Sequence, residues 1–156
     1  MQNNHKIISI IHKLSKANNN DFKTLLEYYI QKLIVLISEI REIKEVLQDY
    51  IGIYQICFAD RDLEFYFQIN QENIIYQNGV YEDYSIKFVI TKDLLLKIFK
   101  MEIQTYDAYM RGFIKAEGDL SYLIRFKNFL NDCTKYLSKY FSEYEMNIGK
   151  ENSLLQ

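Results

Sequence analysis

Proline and tryptophan are absent from the 156 residues, glycine occurs five times, and histidine and cysteine twice each. These scarcities close off chemistries. His5 and His12 share the first helical segment, away from any acidic or cysteine cluster, which leaves no zinc ligand set and no base for a Ser-His-Asp or Cys-His arrangement. The glycines, at 52, 79, 112, 118 and 149, are too scattered for a phosphate loop or a dinucleotide fingerprint. Cys57 and Cys133 form no C-x-x-C pair and sit in apolar patterns, as reduced core residues do. The longest apolar run, Leu33 to Ile37, is too short to span a bilayer. The polar start is no signal peptide, and Ser153-Leu154-Leu155-Gln156 is no peroxisomal address. The chain is expected in the cytoplasm.

Charge excludes little more. A net charge of −2 argues against a broad nucleic-acid footprint. Asp60, Asp62 and Glu64 alternate, but calcium loops need more oxygen ligands and a glycine of their own, so they read as a solvated turn. No metal and no cofactor is expected. What is abundant is aromatic: 14 tyrosines and 10 phenylalanines in a chain that is 49% hydrophobic. The bias toward Asn, Ile, Lys and Tyr is the one an AT-rich genome imposes. The length suits one domain, and such a domain buries about 70% of its unfolded surface.

In chain order, His5 to Lys16 has helical spacing, with Ile7, Ile8, Ile10, Ile11 and Leu14 apolar. Asn20 or Asp21 is placed to cap the next helix. There Phe22, Leu25, Leu26, Tyr29, Leu33, Leu36, Ile37, Ile40, Ile43 and Leu47 hold one phase, which predicts a single helix roughly 40 Å long. Ile34, Val35 and Val46 fall off that stripe and suggest a homodimer through this helix.

Strand signals follow: Ile53–Phe58, Leu63–Ile69 with Leu63, Phe65, Phe67 and Ile69 on one face, Ile74–Gln77, and Tyr84–Ile90. Thr91 caps a helix to about Met101. Tyr106–Arg111 suits a short helix closed by Gly112. Phe113–Glu117 alternates as a strand, and Asp119 opens a last helix to about Leu137. That helix carries two apolar stripes, Leu120/Leu123/Leu130/Leu137 and Tyr122/Phe126/Phe129/Cys133. Either it touches two layers, or part of it lines a cavity. Lys150–Gln156 reads as a disordered tail.

The run Ala108-Tyr109-Met110-Arg111-Gly112-Phe113-Ile114-Lys115-Ala116-Glu117-Gly118-Asp119 resembles the signature of the sterol carrier protein type-2 family. There a small residue, an aromatic and often Met precede Gly, an alternating strand, Gly, and Asp or Asn opening the last main helix. The resemblance covers roughly residues 53–130 and extends to the strand-to-helix step at Thr91-Lys92-Asp93-Leu94. Two positions depart from the pattern: Ser85 stands where an acidic residue is usual, and Met101 where glycine is usual.

The resemblance implies an α+β fold: a mixed five-stranded sheet in the order 3-2-1-4-5, with helices packed on one face and the long N-terminal helix before it. It divides the chain into N-terminal helices at 1–50, a lipid-binding domain at 51–140 and a tail at 141–156. It implies a non-enzymatic lipid carrier whose ligand is a fatty acid, acyl-CoA, sterol or isoprenoid, in transient contact with membranes. The alternative is an accessory subunit using the same fold without a free ligand, for example in quinone metabolism. The period of each element turns Phe65, Phe67, Phe88, Ile90, Leu94, Ile98, Met110, Ile114, Leu123 and Phe126 inward. These are the expected ligand-binding residues.

Overall fold

Alternation settles the sheet. In a computed structural model that describes residues 2–154, Leu63, Phe65 and Ile69 are buried and Phe67 half-buried, while Glu64, Tyr66 and Gln68 turn to the other face. The strands are β1 (Gly52–Phe58), β2 (Glu64–Ile69), β3 (Ile74–Asn78), β4 (Ile86–Ile90) and β5 (Lys115–Gly118). Their order is β3-β2-β1-β4-β5, the order the resemblance implies. β1 and β4 run parallel at the centre, and every other pair is antiparallel. The register puts Ile56 beside both Phe65 and Phe88, and Tyr54 beside Phe67 and Ile86. One apolar face results, and a one-residue slip would turn all of it to water.

The helices cover that face: α1 (Gln2–Lys16), α2 (Asn19–Glu39), α3 (Arg41–Val46), α4 (Lys92–Phe99), α5 (Thr105–Met110) and α6 (Ser121–Leu154), with a 3-10 turn at Leu47–Tyr50. Ile11, Leu14, Phe22, Leu26, Ile37, Ile40, Ile43 and Leu47 belong to the same core as the strands, so the N-terminal helices are built into the domain. The side chains of residues 1–8, which include His5, Ile7 and Ile8, lie outside the described residues.

The single helix expected from Phe22 to Leu47 is broken. Ile40 is extended, at φ −86° and ψ 113°, between α2 and α3. Neither proline nor glycine marks the place. Ser38 Oγ donates to the Ile34 carbonyl at 2.7 Å, a back-bond that weakens a helix and bends it. After the break Ile40, Ile43 and Leu47 are buried in the core. The buried stripe of α2 also slants along Phe22, Leu26, Ile30 and Ile34, the i, i+4 ridge. Ile34 therefore packs inward, Leu33 is 45% exposed, and Val35 stands out to solvent. Val46 packs on the core as well.

The α2 cap is Asn18, whose Oδ1 accepts from the Asp21 backbone N–H at 2.9 Å, not Asn20 or Asp21. Only Ala17 and Asn18 separate α1 from α2, so the chain must turn there. Thr91 caps α4 as expected, accepting from Leu94 N–H. The last helix opens at Ser121, with Asp119 Oδ1 accepting the Ser121 N–H. It continues to Leu154, well past Leu137 and through most of the stretch read as a tail.

Candidate functional site

Nine of the ten expected ligand-binding residues meet in the layer between sheet and helices. Phe65, Phe88, Ile90, Leu94 and Ile114 are buried in the core; Phe67, Ile98, Leu123 and Phe126 are half-buried against it. Met110 does not join them. It ends α5 on the surface with 64% of its area exposed.

The layer is aromatic. Phe126, on α6, lies between Tyr54 (5.2 Å between ring centroids) and Phe88 (5.1 Å). Phe65 sits at the centre of a second group, 5.5 Å from Phe67, 5.2 Å from Tyr76 and 6.4 Å from Phe58. Such pairs contribute beyond the area they bury. Two helices bound this layer. The close partners of α2 are α1, α3 and β3, whereas those of α6 are α3 and the 3-10 turn. Phe67 and Tyr76 on the sheet, and Tyr136, Leu137 and Tyr140 on α6, are only partly covered.

Polar anchors fix α6. Tyr50 Oη donates to Asp132 on α6 while its ring packs on Phe129. Tyr54 Oη donates to the Tyr50 carbonyl at 2.8 Å. Lys139 of α6 pairs with Glu42 of α3 at 3.3 Å. On the far face of the sheet, Gln55 is fully buried, a feature with no signal in the residue pattern. Its amide donates to the Gly79 carbonyl and its carbonyl accepts from Tyr81 N–H, so the β3–β4 loop supplies its partners.

Two clefts open on the surface. One, of about 220 Å³, lies at the α2–α3 break and is lined by Ile40, Arg41, Tyr136, Lys139 and Tyr140 among others. The other, of about 290 Å³, lies between the end of α4 and α5 and includes Met101, Ile103, Met110 and Arg111.

Among the described residues, no group of three His, Cys, Asp or Glu side chains stands where it would hold a metal ion. Asp60 is 3.5 Å from Arg61 and faces the Lys92 backbone N–H at the start of α4, and Glu64 is 3.8 Å from Lys87. The cysteines are free and poor nucleophiles. Burial pushes the Cys133 thiol up to about 12, with the Asp132 charge adding to it. Burial, then a hydrogen bond to Glu64, pushes Cys57 up to about 11. Burial also raises Tyr50, Tyr54 and Tyr76.

The folded protein thus holds these protons at a pH where the unfolded chain has released them. Their contribution is complete below an ordinary thiol value near 9 and is lost as the pH climbs toward about 12. Urea midpoints should fall steadily across that interval, and Cys133→Ala should flatten the fall. An unchanged midpoint from about pH 8.5 to about pH 11, across the thiol range, would contradict it.

No protein-family model matches the sequence, and no curated protein does. Solved structures do match. The sterol carrier protein 2 of Yarrowia lipolytica, in its apo form, superposes with a TM-score of 0.59 at 12% identity, over 76% of this chain and 97% of that one. A ubiquinone synthesis protein, UbiJ-SCP2, gives 0.58 at 13% identity, over 72% and 94%. Sterol carrier protein 2-like 2 of Aedes aegypti gives 0.52 at 16% identity, over 66% and 94%. The chain has the sterol carrier protein 2 fold.

Proposed function

We propose that this chain is a non-enzymatic, cytoplasmic lipid-binding protein. Its ligand, an acyl or isoprenoid chain or a sterol, lies between the sheet and the helices, among Phe65, Phe67, Phe88, Ile90, Leu94, Ile98, Ile114, Leu123 and Phe126. One observation carries the reading. Phe67, Tyr76 and Phe126 project from the sheet and α6 into the helix layer, yet remain only half-buried. Rings at the floor of a finished core would be fully covered. Here an apolar chain can complete the cover of these rings within the helix layer. A floor of phenylalanine rings suits a ligand held by area rather than by polar groups. No helix among the described residues is long and apolar enough to cross a membrane, so a membrane lipid would have to be taken from its surface.

A fluorescent fatty acid titrated into delipidated protein should bind, with affinity rising by about 0.8 kcal/mol per methylene until the layer is full. Phe67→Ala should weaken that binding several-fold at small cost in stability, because Phe67 is half-buried. Native mass spectrometry and solvent extraction of the purified protein should recover lipid. The close packing of Phe126 against both Tyr54 and Phe88 favours a second reading: an accessory domain whose layer is already filled. Absence of extracted lipid, together with no titratable binding at any chain length, would establish that reading instead.

A further inference from the structure

We propose that Glu27, Asn78 and Tyr76 select the head group of the bound lipid, taking a polar end that donates a hydrogen bond, a hydroxyl or an ammonium, over a carboxylate. This selection rests on the interior ligand proposed above and narrows its class. In register, Ile74, Tyr76 and Asn78 of β3 stand opposite Ile69, Phe67 and Phe65 of β2, so they share the side that the helices cover. Ile74 is buried, Tyr76 half-buried and Asn78 exposed, which puts Asn78 where the layer meets water. A polar group on an apolar face needs a partner. Asn78 has two: its Nδ2 donates to Glu27 Oε1 of α2 at 2.8 Å, and its Oδ1 accepts from Tyr76 Oη at 2.8 Å.

The direction of this hydrogen-bond chain decides what it can bind. The Tyr76 proton is spent on Asn78, and Asn78 donates onward to a carboxylate. Tyr76 Oη is left with acceptor lone pairs, and a chain that ends on an anion strengthens the acceptors along it. Burial and, after it, the Glu27 charge push the Tyr76 hydroxyl above its usual range. The ring lies inside the layer, 5.2 Å from Phe65 and 5.8 Å from Phe67, so the hydroxyl marks the end of the aromatic floor. Glu27 is half-buried and belongs to none of the ion pairs among the described residues. Lys23 and Lys32 are the nearest cations in sequence on α2, and Lys32 lies over the Tyr28 ring instead. A carboxylate head at this edge would face a like charge and the lone pairs of Tyr76. A hydroxyl or an ammonium would donate a hydrogen bond to Tyr76 Oη, and an ammonium would gain from the Glu27 charge as well. Apolar area holds the ligand, and this corner sorts its head.

Displacement of a fluorescent fatty acid from the delipidated full chain tests this, with hexadecylamine, hexadecanol and hexadecanoate as competitors of equal chain length, at a pH where amine and acid are both charged. In the wild type, hexadecanol and hexadecylamine should displace the probe at concentrations roughly tenfold below hexadecanoate, the worth of one hydrogen bond to a strong acceptor. Glu27→Gln keeps a carbonyl to accept from Asn78 and removes only the charge. It should close most of that gap, with the amine losing and the acid gaining. Tyr76→Phe should weaken hexadecanol several-fold and hexadecanoate little. Glu72→Gln, an exposed carboxylate in the β2–β3 turn, should leave all three unchanged. A bond that merely ties α2 to the sheet would move melting temperature, not the ratio between competitors. Hexadecanoate binding as tightly as hexadecanol in the wild type overturns the selection, as does a ratio that Glu27→Gln leaves in place; either result keeps the interior ligand. Failure of the probe and of every competitor to bind overturns the interior ligand itself, and the selection with it.

Discussion

Phe22→Ala should lower the stability of this protein by about 3–5 kcal/mol, the range for emptying a buried aromatic site. Phe22 occupies the first turn of α2 and is fully buried. Its ring meets Phe58 of β1 edge-on at 5.8 Å, and so ties the first long helix to the centre of the sheet. Two cations rest on it: Arg61 at 4.7 Å and Lys92 at 4.9 Å from the ring centroid. Lys92 has other partners, the carbonyls of Ser15 and Ala17, and its pKa is lowered by burial and by the Arg61 charge. Arg61 has fewer. Its Nε and Nη1 are buried without a hydrogen-bond partner, and its carboxylate neighbour, Asp60, is 3.5 Å away.

The ring face is thus a principal compensation for a desolvated guanidinium. Alanine would leave a cavity and, in addition, a desolvated cation without its ring, with Asp60 as its remaining ion-pair partner. Phe22→Leu restores much of the volume but not the ring, and should fall between. Arg61→Met in the Phe22→Ala background should recover part of the loss, whereas the same change in the wild type should not stabilise as much. Urea unfolding at constant m-value measures all four proteins. A loss below about 1 kcal/mol for Phe22→Ala would mean that α2 is not anchored through this residue.

What the residue pattern made legible was whatever depended on local period and on cap chemistry. Leu63, Phe65 and Ile69 alternate and are buried; Thr91 and Asp119 cap as their positions suggest. The sheet order came from the resemblance in residues 108–119, since antiparallel neighbours and a central parallel pair leave no mark in any single strand. Tertiary demands stayed hidden. The break at Ile40 lets α3 bury Ile40 and Ile43, and only the Ser38 back-bond hints at it locally. Ile34 and Leu33 exchange places because α2 crosses the sheet along a slanted ridge, which helical period alone does not specify. Gln55 is buried by a loop twenty-odd residues away. Period turns Met110 inward, but a helix of six residues closed at Gly112 has too few turns for period to fix its face. The half-buried state of Phe67 and Phe126, on which the functional reading rests, depends on helix spacing and lay beyond the pattern altogether.

The two glycines of that motif should respond very differently to alanine, although both have positive φ. Gly112 closes α5 at φ +77°, and a Cβ built there meets nothing within 4 Å. Gly112→Ala should therefore cost only the left-handed strain, about 1–2 kcal/mol. Gly118, at φ +114°, lies outside even the left-handed helical region that other residues tolerate. A Cβ on it would come within 2.8 Å of the Ser85 carbonyl oxygen and 3.3 Å of Ile86 Cα, both backbone atoms. Ser85 has little room to yield. Its carbonyl accepts from Asp119 N–H, its N–H donates to the Ile53 carbonyl, and its hydroxyl accepts from Ile53 N–H. Displacement would therefore pass into the first residues of β1 and β4 and into the start of α6. Backbone strain and overpacking together put Gly118→Ala at about 2–5 kcal/mol, and Gly118→Val higher still. Ser85→Gly removes the hydroxyl but not the clashing carbonyl, so it should not rescue Gly118→Ala. Thermal unfolding of the single alanine variants side by side checks the ranking: equal losses at the two glycines would show that the close approach of β5 to Ser85 does not govern this corner of the fold.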